Sequence, residues 1–443
     1  MNQKQRIFLW SITAALGGFL FGFDTAVISG AEQSLQSLWK LNDWEHGLTV
    51  SIALIGTVIG AMLGGIPTQK LGRKKTLFGI ALLYLVSSLG TAFAINWGMF
   101  LFFRFLGGLG VGASSVAAPM YITEISPAKS RGRLVALFQF NVVLGILIAY
   151  LSNYILAQVE ITDTWRWMLG VQALPSLIFM IAVLNIPESP RWLLLVKKQI
   201  SQAREVLQII DPTTAEETLH ALQQHIDQPQ TAKLFSAPYR TPVMLAVLFA
   251  VFNQVSGINA IIYFAPRIFQ MTGLGNSSAL LSSVGIGVVN LIFTMISMNI
   301  IDKFGRRSLM LVGSVGLILT LGSVASAFYL YGDHMSGLLV PSLLFIYIAF
   351  FAFSQGAVIW VFISEIFPNE VRASGQSLGS FTHWLLAAII TFTFTYIANR
   401  FGGAAVFSFF TVMMVLQLLF VLRLMPETKG TSLEQIERTF IAH

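Results

Sequence analysis

Apolar runs of about twenty residues recur along this chain, at roughly 7–29, 47–68, 76–95, 98–122, 133–157, 167–186, 243–269, 279–301, 308–330, 338–363, 376–398 and 404–425. Each is long enough to cross the roughly 30 Å hydrocarbon core of a bilayer as a helix rising 1.5 Å per residue. Lipid offers no partner to a backbone N–H or C=O, so a run of this length must satisfy those groups internally, and a helix does so. Composition agrees: 55% of the 443 residues are hydrophobic and 11% are charged, where a soluble chain carries about 25% charged residues. The sequence predicts an all-α membrane protein with twelve transmembrane helices. The first run follows only Lys4 and Arg6, lacks a small-residue cleavage site and contains Asp24, so it reads as a retained helix rather than a signal peptide.

The net charge of +7 is one-sided. Of the 27 Lys and Arg residues, Lys40, Arg166, Arg267 and Arg400 fall on one face of the predicted membrane, Arg104 lies inside a run, and all the others fall on the opposite face. The positive-inside rule places that richer face, and both termini with it, in the cytoplasm of a cell membrane, plasma or bacterial inner. The basic balance is thus explained by topology, and nucleic-acid binding is not invoked. With no cysteine in the chain, disulfides, thiolate catalysis and Cys-ligated metals are excluded; no cofactor or metal is expected.

Three motifs occur twice, in order and at nearly constant separation. Leu71-Gly72-Arg73-Lys74-Lys75 pairs with Phe304-Gly305-Arg306-Arg307-Ser308, Glu124-Ile125-Ser126-Pro127 plus Arg131 with Glu365-Ile366-Phe367-Pro368 plus Arg372, and Pro187-Glu188-Ser189-Pro190-Arg191 with Pro426-Glu427-Thr428-Lys429-Gly430. The chain therefore reads as two pseudo-symmetric six-helix bundles, 1–187 and 242–426. A helical cytoplasmic linker at 188–241 joins them, and a tail at 427–443 carries a short amphipathic element at Ser432 to Phe440. Parallel repeats of this kind are a transporter signature, with the site expected where the repeats meet near the midplane.

Polar groups inside the runs mark what such a protein handles. A carboxylate near the middle of a run costs roughly 2.5 to 3.5 kcal/mol on insertion scales. Asp24 sits in such a place, in Gly17-Gly18-Phe19-Leu20-Phe21-Gly22-Phe23-Asp24-Thr25, whose glycines allow close helix approach. Arg104 is the basic residue deep in a run, and the two are most simply explained as partners. Gln139, Asn253, Gln254, Asn259, Asn290, Trp360, His383 and Trp384 are also intramembrane. Amides, an imidazole and aromatic faces without charge suit a neutral polyhydroxyl ligand. Gln254 and Asn259 are five residues apart, about 140° around a helix, so both can line a cavity. Each amide taken alone is equally compatible with interhelical hydrogen bonding. Gly107-Gly108-Leu109-Gly110-Val111-Gly112 lies inside a run with no preceding strand, so helix packing rather than phosphate binding explains it.

Taken together, these motifs resemble the sugar porter family of the major facilitator superfamily over essentially the whole chain, most specifically in Gln254-Val255-Ser256-Gly257-Ile258-Asn259 and the Pro-Glu-Ser and Pro-Glu-Thr ends. The resemblance implies the major facilitator fold, and sugar contacts at Gln139, Gln254, Asn259, Asn290, Trp360 and Trp384. It implies a proton-coupling pair at Asp24 and Arg104. It also implies an inter-helix cytoplasmic gate at Arg73, Glu124, Arg131, Glu188, Arg306, Glu365, Arg372 and Glu427. The chain departs from the family pattern in Asn253-Gln254 for Gln-Gln, Phe264 after Tyr263 for a second tyrosine, Ile146, His383 before Trp384, and Ala357 in the usual Gly-Pro. The expected protein is a monomeric, non-enzymatic carrier of a monosaccharide and a proton, in contact with lipid. A sugar uniporter with a structural Asp-Arg pair, a proton-coupled polyol carrier, a drug antiporter and a non-transporting sensor are the alternatives.

Overall fold

The structure is a computed structural model that describes residues 2–127, 130–159, 161–224, 234–332, 337–368 and 371–429. The predicted element at 432–440 lies outside these residues. Among them all regular secondary structure is helical, as a chain immersed in lipid requires. In order come α1 (Gln3–Trp39), α2 (Asp43–Leu63), α3 (Gly65–Lys70), α4 (Arg73–Ala92), α5 (Trp97–Glu124), α6 (Arg131–Ala157), α7 (Thr164–Gly170) and α8 (Ala173–Leu184). Three short helices follow, α9 (Pro190–Leu195), α10 (Ile200–Ile210) and α11 (Ala215–Gln224). The second series is α12 (Arg240–Val255), α13 (Ile258–Gln270), α14 (Asn276–Phe304), α15 (Arg306–Tyr331), α16 (Leu339–Phe353), α17 (Gln355–Ile366) and α18 (Arg372–Arg423).

Eleven helical stretches among the described residues are long and apolar enough to cross a membrane. The last of them, α18, is 52 residues long and would measure about 78 Å if straight, far more than a bilayer core. Its backbone leaves the helical region at Gly402 (φ 78°, ψ 167°), a left-handed turn that separates the two final apolar runs. The protein is thus a multi-pass membrane protein, and the count of twelve runs stands. Conversely, four predicted spans are each built from two of these helices: α2 with α3, α7 with α8, α12 with α13, and α16 with α17.

The chain forms two compact units. The first comprises Met1–Val27, Ile52–Ala149 and Trp165–Pro229, and the second Ile28–Ser51, Tyr150–Thr164 and Gln230–His443. Within the first unit, glycine sets how closely backbones approach. A Cβ on Gly22 of α1 would overlap the Val142 carbonyl of α6, and one on Gly108 of α5 would overlap the Ala53 carbonyl of α2. The short helix α10 turns Ala203, Val206, Leu207 and Ile210 inward, and Gln3 Nε2 donates to the Ile210 carbonyl at 2.8 Å.

The second unit packs aromatic rings, with Phe249 stacked on Phe362 at 5.3 Å. Its helix α13 carries Pro266, which has no N–H to give to the carbonyl four residues back. That carbonyl, on Ile262, accepts the Tyr150 hydroxyl at 2.6 Å instead. Tyr150→Phe removes the donor and leaves a buried carbonyl unsatisfied. We expect a loss of about 1 to 3 kcal/mol, read as a lower melting midpoint of the detergent-solubilised protein; an unchanged midpoint would show that α13 finds another partner.

Candidate functional site

In the first unit, α1 and α5 bring Asp24 and Arg104 together. Arg104 NH1 donates to Asp24 Oδ1 at 2.7 Å, and NH2 reaches the Asp24 carbonyl at 3.4 Å. Both side chains are almost wholly buried, at 3% and 2% exposure. One turn along α5, a Cβ on Gly107 would stand 3.6 Å from Asp24 Oδ1 and overlap Ser87, so glycine keeps room beside the carboxylate. A buried pair of this kind gains Coulomb energy only against a large desolvation cost. It is held by one salt-bridge contact rather than a bidentate one, and Arg104 Nε has no hydrogen-bond partner among the described residues.

In the second unit, the amides cluster where the seventh span breaks. Gly257 adopts φ 86°, ψ 8°, a left-handed conformation that glycine takes without strain. It ends α12 and starts α13 in the middle of the apolar run. Interrupted backbone at membrane depth must find partners. Here the Tyr347 hydroxyl donates to the Ser256 carbonyl at 2.9 Å, and the Ser256 hydroxyl to the Asn253 carbonyl at 2.6 Å.

Around this break Gln254 is the hub. Its Nε2 donates to Asn253 Oδ1 at 3.0 Å and lies 3.1 Å from His383 Nδ1, while its Oε1 accepts from Asn259 Nδ2 at 2.6 Å. His383 stands edge-on to Trp384, with centroids 4.7 Å apart, and 5.0 Å from the Trp360 ring. Asn253, Gln254, Asn259, His383, Trp360 and Trp384 are therefore one constellation of uncharged donors, acceptors and ring faces. Amides that satisfy one another can exchange those bonds for sugar hydroxyls, which are both donors and acceptors. Asn290 on α14 is buried and accepts the Thr294 hydroxyl at 3.4 Å. Gln139 belongs to the first unit and is half-buried on α6. Phe264, where the family pattern carries tyrosine, stacks on Phe394 at 4.8 Å.

A layer behind the hub escaped sequence reasoning. The tenth span breaks at Ser354 (φ −113°, ψ −89°), whose preceding carbonyl, on Phe353, accepts the Ser297 hydroxyl at 3.1 Å. Asn253 Nδ2 reaches the Gln355 carbonyl at 3.4 Å. The Gln355 side chain in turn donates to Gln417 Oε1, and Gln417 Nε2 to Ser314 Oγ at 2.8 Å. Gln417 is a lone polar residue in an apolar run and Gln355 has only Ser354 as a polar neighbour, and only the fold shows that they meet.

The repeated motifs form two matching charge clusters. In the first unit, Arg73 grips Glu124 with two bonds (2.8 and 2.7 Å), and Glu188 accepts the backbone N–H of Arg73 at 2.8 Å. In the second, Arg306 grips Glu365 (3.1 and 2.7 Å), and Glu427 accepts the Arg306 N–H at 2.8 Å. Gly72 and Gly305 both have positive φ, and a Cβ on either would overlap the carboxylate of Glu188 or Glu427. Arg372 bonds the Phe367 carbonyl at 3.2 Å instead, and Arg131 is exposed. A third charged cluster, Glu32 with His46 and Arg267, had gone unread: Arg267 entered the sequence analysis only as a topological charge.

The pattern of the family described as Sugar (and other) transporter matches residues 10–440. The arabinose-proton symporter of Bacillus subtilis (strain 168) is 36% identical over 98% of this chain and 95% of its own length. The D-xylose-proton symporter of Escherichia coli (strain K12) is 35% identical over 98% of this chain and 96% of its own. Among solved structures, the inward-open conformation of the xylose transporter XylE from E. coli superposes with a TM-score of 0.87 at 33% identity, covering 98% of this chain and 100% of that one. A family match over almost the whole chain and full-length relatives of this identity lead to one conclusion: the protein belongs to the sugar (and other) transporter family, whose members are carriers and not enzymes.

Proposed function

We propose that the protein imports a neutral monosaccharide, a pentose or hexose, together with a proton by alternating access. The observation that carries this reading is the buried Asp24–Arg104 pair in a chain whose intramembrane amide cluster is otherwise uncharged. The amides, His383 and the two tryptophans hold the sugar; Asp24 takes the proton, which frees Arg104 and loosens α1 from α5. The symporter names of the relatives above support the same reading. Rocking of two six-helix repeats, 1–187 and 242–426, around the site needs no covalent chemistry. The Arg73–Glu124–Glu188 and Arg306–Glu365–Glu427 clusters, together with Arg131 and Arg372, serve as the cytoplasmic gate. The charge bias supports a cytoplasmic location for both termini and the 188–241 linker, and a monomer suffices for the cycle.

The test is the external pH of a weakly buffered suspension of energy-depleted cells expressing the protein, on addition of pentoses, hexoses and inositol. Alkalinisation with one sugar identifies the substrate and proton symport together. Uptake of labelled sugar without alkalinisation would make the protein a uniporter, and alkalinisation with inositol alone would make it a polyol carrier.

A further inference from the structure

Glu32 has no exposed surface, yet it carries two basic partners. Arg267 donates to its carboxylate twice (3.0 and 2.7 Å), and His46 Nε2 stands 2.7 Å from Oε2. Arg267 NH2 also donates to Gln36 Oε1 at 2.6 Å. All four residues lie within the second unit. Glu32, Gln36 and His46 come from the first sequence repeat and Arg267 from the second, so the cluster ties α1 and α2 to α13.

The same end of α2 is also joined to α18. Trp44 stacks on Tyr396 at 4.4 Å, Asn399 Nδ2 donates to Asp43 Oδ1 at 2.8 Å, and a Cβ on Gly47 would overlap the Phe392 carbonyl. These ends are opposite to the Gly72 and Gly305 loops, and so face outward in the proposed orientation.

Position makes the cluster more than a rivet. The uninterrupted helix α1 carries Asp24 and, eight residues on, Glu32, about 12 Å along the axis. On α13, Asn259 and Tyr263 lie four residues apart on one face, and Arg267 follows just beyond a kink at Phe264 (φ −121°, ψ 20°). The helix with the proton acid and the helix with a hub amide are thus two of the three that the ion cluster fastens. A desolvated charge pair favours one arrangement of its helices strongly and has no value in another.

We propose that Glu32, His46 and Arg267 form an outer latch that must come apart for the site to open to the outside. The inference rests on the alternating-access reading, but part of its test does not. Because the chain has no cysteine, one introduced at Tyr263, between Asn259 and Arg267, reports opening to a membrane-impermeant thiol reagent applied from outside. Glu32→Gln with Arg267→Gln removes both charges and keeps hydrogen-bonding shape, which protects folding. In that background, labelling should rise about tenfold, within the range of typical coupling between states; unchanged labelling in a protein expressed at the same level overturns the latch.

A second measurement reads transport. Glu32→Cys with Arg267→Cys, joined by a flexible bis-maleimide, should lose sugar uptake, while either single variant treated alike keeps it. Uptake persisting in fully cross-linked protein overturns the latch and leaves sugar transport standing. If the natural protein moves no sugar, the transport reading falls, and the labelling result still decides the latch.

Discussion

Asp24→Asn is expected to abolish accumulation of sugar against its gradient while exchange of labelled for unlabelled sugar continues. The amide has nearly the shape of the carboxylate and still offers an oxygen to Arg104, whose NH1 now meets Oδ1 at 2.7 Å. It has no ionisable group to take up and release a proton. One proton moving through about 100 mV supplies about 2.3 kcal/mol, which corresponds to a roughly fifty-fold sugar gradient; without that coupling the ratio falls to about one. Sugar-dependent alkalinisation disappears with it. A purely structural ion pair makes a different forecast, because a pair that only holds α1 to α5 would be weakened by the change and would depress exchange and melting temperature together. Exchange at the natural rate with accumulation lost establishes Asp24 as the coupling acid. Accumulation at the natural level removes it from that role.

How much of this was legible beforehand depends on whether the signal is local. Length and apolarity of a run are local, and the twelve runs translate directly into helices; even α18, continuous by hydrogen bonding, turns at Gly402 where the sequence leaves a gap between runs. The duplicated motifs were also visible, and duplication has a physical use: the partners found for Arg73 in the first repeat foretell those of Arg306 in the second. Choice of partner was less visible, since Arg131 and Arg372 have the same chemistry as the arginines that grip glutamates. Helix breaks were missed because Ser256-Gly257 and Ser354 sit inside runs long and apolar enough overall to read as single spans, where only the backbone reveals a left-handed glycine or a carbonyl capped by a distant hydroxyl. Glu32 lies close enough to the end of its run to pass for a solvated charge. It is buried because α2 and α13 cover it, and that covering is a property of the fold alone.

Gln254→Leu is expected to weaken sugar binding about ten- to a hundredfold, by roughly 1.5 to 3 kcal/mol, the range for hydrogen-bonding groups left buried without partners. Leucine nearly matches the volume, so packing against α18 survives, but three neighbours lose their bonds at once: Asn253 Oδ1, Asn259 Nδ2 and the His383 ring. They also lose the geometry that presents them to a ligand. The layer behind separates site chemistry from scaffold. Gln417→Leu interrupts the chain from Gln355 to Ser314 without touching the hub, so it should lower the melting midpoint while changing Kd much less. Isothermal titration of the purified variants with the sugar identified by alkalinisation distinguishes them. Equal loss of affinity in both would mean that the amides act as one structural network and that Gln254 has no privileged contact. A further readout comes from coupling: at saturating sugar the Gln254→Leu carrier should move as many protons per sugar as the natural one, because Asp24 and Arg104 are untouched. A fall in that ratio would place sugar and proton on a shared group, with the neutral hub itself part of the proton's route.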